Sequence, residues 1–104
     1  MESKYRIELL LDRSRNDLML AEAVSIISQD KTQKSSLNLP EESTFYSNVI
    51  SLAYYSIFYS AKAFLFSKNI STSPPHEHRK VEDNLKILAR NGEIDFDLLR
   101  VFEE

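Results

Sequence analysis

The residues best suited to chemistry gather in two places, a histidine-bearing stretch and a run of tyrosines. His76 and His78 are two positions apart, so on a helix they point roughly opposite ways and cannot grip one metal ion. His78 and Glu82 are four apart and share a face, which suits two ligands or an acid–base couple, and equally a surface hydrogen-bonded pair. No third ligand stands nearby, so neither metal nor cofactor is expected. His76, Arg79, Asp83, Lys86 and Arg90 fall on the side of that helix opposite Val81, Leu85 and Leu88. This stripe is net positive in a net negative chain, as a phosphate-contacting surface would be; a solvated face with an Arg79–Asp83 pair fits the same pattern. Tyr54, Tyr55 and Tyr59 bring hydroxyls into an apolar helix, where they could stack on bases, hydrogen-bond a ligand, or satisfy themselves against a neighbouring helix.

Composition narrows the remaining options. The chain has 104 residues, 13 Lys+Arg against 16 Asp+Glu, no Cys, no Trp, one Gly and three Pro. One glycine argues against a many-turned β-sandwich or barrel and removes the Gly-rich phosphate loops. Without cysteine there is no disulfide framework, thiolate nucleophile or Cys-type zinc site. The formal charge of −3 argues against a strongly basic nucleic-acid binder, leaving only a local basic face. Adjacent carboxylates such as Glu41-Glu42 and Glu103-Glu104 point apart on a helix, and no Gly-x-Ser-x-Gly elbow exists. The N-terminus lacks the apolar core of a signal peptide, and the apolar stretch from Val49 to Ala61 falls short of the roughly 20 residues of a membrane span. A cytoplasmic protein without a membrane segment is the expectation.

The elements that must hold these residues are helical. Ile7, Leu10, Leu11, Leu18, Ala21, Val24 and Ile27 recur at three- and four-residue steps, predicting a first helix over residues 3–28 with Arg6, Asp12, Arg13, Asn16, Asp17 and Glu22 mostly outward. A polar linker is expected over 29–44, its last residues, Glu41 to Thr44, opening the next helix. That second helix, about 45–69, is apolar nearly all round, so it should be central and covered on several sides. Its Ser and Ala positions allow neighbours to approach closely. Ser73 reads as the N-cap of a third helix with proline in its first turn, ending at Gly92 in a left-handed C-cap. Asp95 reads as the cap of a fourth, which meets no stop signal before Glu104: the chain is a piece of a longer one, or that helix is completed by a partner. The expected architecture is a single all-α domain over 1–104, an antiparallel up-and-down four-helix bundle.

The segment Ala53-Tyr54-Tyr55-Ser56-Ile57-Phe58-Tyr59-Ser60-Ala61-Lys62-Ala63-Phe64-Leu65, followed by a loop with Ser-Pro-Pro-His-Glu-His, resembles the HEPN family (higher-eukaryote and prokaryote nucleotide-binding domains). That family has an Ala-Tyr-Tyr-x-x-Phe-x-x-Ala-(Arg/Lys)-Ala-Leu-Leu helix, a loop, and a histidine near the start of the next helix. The resemblance implies a four- to five-helix bundle, usually dimeric and often encoded beside a minimal nucleotidyltransferase as a toxin–antitoxin pair. Many members are metal-independent ribonucleases with an Arg-x(4–6)-His motif. Here Arg6, Arg13, Arg15, Arg79 and Arg90 have no His at that distance, and for Arg100 it would lie past Glu104. No catalytic residue is carried over.

The leading expectation is therefore a non-catalytic HEPN-type binding module. It would act as a homodimer, with a nucleotidyltransferase-type partner or RNA. Tyr54, Tyr55, Phe58 and Tyr59 would serve the core or dimer helix, and His76, His78, Arg79, Lys86 and Arg90 the nucleic-acid or nucleotide contact. Two alternatives are a ribonuclease whose motif is truncated away or replaced by His76, His78 and Arg79, and a nucleotide-binding protein holding phosphates on Arg79, Lys86 and Arg90.

Overall fold

The computed structural model describes residues 2–97 and 100. Among them all regular structure is helical: α1 is Glu2–Gln29, α2 Lys31–Ser36, α3 Tyr46–Ser67 and α4 Glu77–Arg90. The three long helices match the sequence reading, and α2 corrects it, because the linker contains a helical turn and a half. Asp30 caps α2 by accepting the Gln33 amide at 3.0 Å. Lys34 is only 5% exposed and donates from Nζ to the Glu41 carbonyl at 2.9 Å, folding the linker back on itself. Of the fourth helix expected from Asp95, residues 98–99 and 101–104 lie outside the described residues; the Asp95 carboxylate does accept the Asp97 amide at 2.9 Å, as a cap would.

Helices α1 and α3 form an antiparallel hairpin along a seam of small residues. Ser14, Ala21 and Ser28 are buried at seven-residue steps on α1, and Ser56 and Ala63 repeat that spacing on α3. Seven residues nearly complete two turns, so each set stays on one stripe. Ser14 Oγ donates to the Ser56 carbonyl at 2.7 Å while Ser56 Oγ donates to the Ser14 carbonyl at 2.9 Å, and Ser60 Oγ lies 2.6 Å from Ser14 Oγ. Hydroxyls reaching the opposite backbone in both directions need the helices close together, which the small side chains permit. At the seam's end Ser28 Oγ accepts the Phe45 amide at 3.0 Å. That bond serves the start of α3, where the expected Glu41–Thr44 cap does not form: α3 begins at Tyr46 with no acidic residue in its first turn.

The apolar core lies on the other side of α3, where Phe58 and Leu65 meet Val81, Leu85, Leu88 and Ala89 of α4. The predicted Val81/Leu85/Leu88 face is therefore inward. The start of α4 differs from expectation: His76 holds the N-cap position with φ +58°, both prolines precede the helix, and Ser73 does not cap it. Three helices end alike, with a left-handed residue after the last turn: Asn38, Asn69 and Gly92. The following amides bond back to Lys34, Leu65 and Leu88 at 2.8–2.9 Å.

Helix α3 is central, packing on α1 and α4, which scarcely touch one another. By length and composition alone it suffices for a membrane span; here it lies between two helices and carries buried Ser56. It is not enclosed. Ile50 is 70% exposed, and Tyr55 and Ile57 are open as well. The reason is arithmetic: α1 and α4 cover two sides of a helix that is apolar on more than two. The outcome is a molecule 50 × 31 × 24 Å with a radius of gyration of 16.8 Å, against about 13 Å for a compact chain of this length.

Candidate functional site

The structure joins the two chemical groups of the sequence. Tyr54 of α3 hydrogen-bonds through its hydroxyl to Nδ1 of His78 on α4, and the two rings lie 5.3 Å apart. With Tyr54 donating, Nδ1 is the bare nitrogen and Nε2 carries the proton. Nε2 faces Glu82 Oε2 at 3.8 Å, and Glu82 Oε1 lies 3.5 Å from Lys86 Nζ. A phenol, an imidazole and a carboxylate thus stand in a row across the α3–α4 contact. Burial, then Tyr55, then the Glu82 carboxylate disfavour the phenolate, so Tyr54 titrates above the ordinary tyrosine value. The phenol stays protonated near neutral pH and acts there as a hydrogen-bond donor.

The other predicted residues divide. His76 is exposed at the N-cap and does not join His78. Arg79 and Arg90 are exposed, as the stripe required, while Lys86 is half-buried and turned to Glu82. The Arg79–Asp83 pair allowed by spacing is not formed. Of the aromatic residues on α3, Phe58 is core, Tyr54 and Tyr59 are half-buried, and Tyr55 stands outermost, 5.3 Å edge-on to Tyr54. Among the described residues no group of three or more His, Asp or Glu could hold a metal ion.

A second site escaped the sequence reading. Arg13 lies over the Tyr59 ring at 4.4 Å and Arg6 over the Phe66 ring at 5.5 Å, so two arginines assigned to the solvent side line one flank of the α1–α3 hairpin. The signal was the shared interval of seven residues in both pairs. Beside them Lys62 Nζ pairs with Glu77 at 2.7 Å, and Thr72 donates to that carboxylate at 3.0 Å, tying the loop before α4 to α3. Further along the flank, Leu20, Val24, Ile27, Leu52 and Tyr55 line an open apolar groove. No family model, curated protein or solved structure matches this chain.

Proposed function

We propose that this chain is a non-catalytic helical binding module of HEPN type that works as a homodimer. One observation carries the reading. The accessible surface is 7459 Å², whereas a compact chain of 12.1 kDa exposes roughly 6000 Å². The excess is larger than the roughly 800 Å² that each partner contributes to a standard protein interface. Much of what stands open is apolar: Leu9, Leu18 and Leu20 on α1, and Ile50, Tyr55 and Ile57 on α3. Leu20 and Tyr55 come together with Val24, Ile27 and Leu52 in one open apolar groove, and exposed apolar surface of this kind marks an interaction site. The groove around Leu20 and Tyr55 is the surface assigned to the second copy.

Sedimentation of the chain at high micromolar concentration tests this. A dimer is expected, and Tyr55→Arg, a change at a side chain that is 47% exposed, should shift it to monomer without loss of helicity. A strict monomer overturns the proposal.

Dimerisation leaves the outward basic stripe of α4 for the partner. In the proposed setting Arg79 and Arg90 contact the phosphates of RNA, or acidic groups of a nucleotidyltransferase-type protein, and His78 with Tyr54 flanks that surface. Arg79→Ala with Arg90→Ala should weaken RNA binding at low salt by about tenfold, and binding should fall steeply as salt rises. RNA retention unchanged by the double substitution excludes α4 as the contact.

A further inference from the structure

We infer that the cleft at the open end of the α1–α3 hairpin is a binding site for a small organic monocarboxylate with a compact apolar body. The cleft encloses about 210 Å³. At roughly 30 Å³ per water, that is the space of about seven waters, so its ligand has around seven to nine heavy atoms. Leu9, Leu10, Phe66 and Ile70 supply apolar walls, while Arg6, Lys62, Ser71 and Thr72 supply the polar groups. An apolar pocket with a few convergent polar groups is the usual form of a small-molecule site.

The charges select the ligand. Lys62 is neutralised by Glu77 at 2.7 Å, and the Thr72 hydroxyl is committed to the same carboxylate. Arg6 has no carboxylate among the described residues; the Phe66 ring lies under its guanidinium at 5.5 Å. The site therefore carries one uncompensated positive charge. The Arg6 guanidinium makes no hydrogen bond or ion pair within the described chain, so its planar fork is free to take a carboxylate through two parallel hydrogen bonds. Ser71, on the same cleft, has a hydroxyl uncommitted within the described chain and can add a third donor. A monoanion balances this site and a dianion overfills it. The aliphatic or aromatic remainder of the ligand takes the place of water against Leu9, Leu10 and Ile70.

This site lies away from the Leu20–Tyr55 groove and stands whether or not the chain dimerises. Titrating isotopically labelled full-length protein with benzoate, isovalerate, benzamide and inorganic phosphate, followed by amide chemical shifts, tests it. Benzoate and isovalerate should give saturable shifts confined to residues 6–10 and 66–72. Benzamide, of the same shape without the charge, and phosphate, an anion without an apolar body, should bind at least tenfold more weakly. Arg6→Gln should weaken benzoate by about tenfold, the loss of one charge-assisted contact of about 1.4 kcal/mol. Lys31→Gln, at the opposite end of the hairpin where Lys31 pairs with Glu41, should leave it unchanged. The inference fails if the shifts are non-saturating well into the millimolar range or map elsewhere, if benzamide or phosphate matches benzoate, or if Arg6→Gln binds like the parent.

Discussion

Helix α3 is held on two sides by two different kinds of contact. Towards α1 the seam is built from Ser14, Ala21, Ser28, Ser56 and Ala63, residues with little surface to bury and hydroxyls that reach across to the facing backbone. Towards α4 the contact is Phe58 and Leu65 against Val81, Leu85 and Leu88, where the stabilisation is the removal of large side chains from water. The seam fixes register and separation, since a hydroxyl bond to a carbonyl has one workable geometry. The α4 side supplies burial within a short contact. A small seam also limits how much apolar surface α1 can take from α3, and the flanking Ile50, Ile57 and Tyr55 stay open as a result. The design that brings two helices close is the same one that leaves an apolar face of α3 open to solvent.

The comparison breaks most readily on the α4 side. Leu65 is fully buried, so Leu65→Ala should cost about 2–5 kcal/mol through lost transfer energy and an uncollapsed cavity, read from urea unfolding. On the seam, the damaging change is enlargement instead of truncation. Ser56→Leu should cost about 1–3 kcal/mol by forcing the helices apart and removing the hydroxyl that donates to the Ser14 carbonyl, whereas Ser56→Ala, which loses only that hydroxyl, should cost about 1 kcal/mol. If the leucine variant is as stable as the alanine one, the seam is not close-packed and the contrast between the two sides collapses.

Sequence periodicity located the three long helices to within two residues or so at each end, because Gly and Pro are rare and the apolar steps are regular. It also placed Val81, Leu85 and Leu88 inward, since α4 has one clear apolar stripe. On α1 the predicted face is the inner one at Ala21, which is buried, and at Ile7, Leu10, Leu11, Val24 and Ile27, which are half-buried, but Leu18 of the same set is 48% exposed and the buried Ser14 and Ser28 lie outside it. A buried serine has no signature in hydropathy; only the seven-residue recurrence of small side chains marked it. Arg6 and Arg13 were missed for a related reason, because a charged residue reads as solvated until an aromatic ring lies beneath it. The Tyr54–His78 contact was not legible either: both residues were singled out, yet their meeting depends on how α4 crosses α3, which no local pattern encodes. Asn38 and Asn69 end helices as Gly92 does, and asparagine's tolerance of the left-handed region was the available clue.

Gly92 sharpens the comparison at a smaller scale, at the end of α4. Its φ of +75° suits glycine, and an added Cβ would meet nothing within 4 Å. Gly92→Ala therefore isolates the backbone term, an expected loss of about 1 kcal/mol in unfolding free energy with no change in packing. Gly92→Asn should recover part of it, as the asparagines ending α2 and α3 imply. Equal stability of the parent and both variants would show that the cap contributes nothing to holding α4 on α3.

The smallest effect concerns Tyr54, a polar group that, like the Lys62–Glu77 pair, joins α3 to α4 on the half-exposed rim of their contact. Its phenol titrates above the ordinary tyrosine value in the folded chain, chiefly because burial disfavours the phenolate, with Tyr55 and the Glu82 carboxylate acting in the same direction. A group whose folded pKa is raised contributes stability that is fully present below its unfolded pKa, near 10, and that is lost as pH climbs from there through the folded value. Phenolate absorbance should therefore show one tyrosine ionising later than the others, and Tyr54→Phe should remove that late step. In the same variant, the decline in stability above the ordinary tyrosine pKa should become shallower, while stability at neutral pH changes only by the loss of the hydrogen bond to His78. Glu82→Gln supplies the complementary measurement, since removing the carboxylate takes away one of the lesser causes and should lower the late step without abolishing it. A Tyr54 that ionises together with the exposed tyrosines would mean that α4 does not sit against α3 as described, and the row from phenol to carboxylate would fall with it.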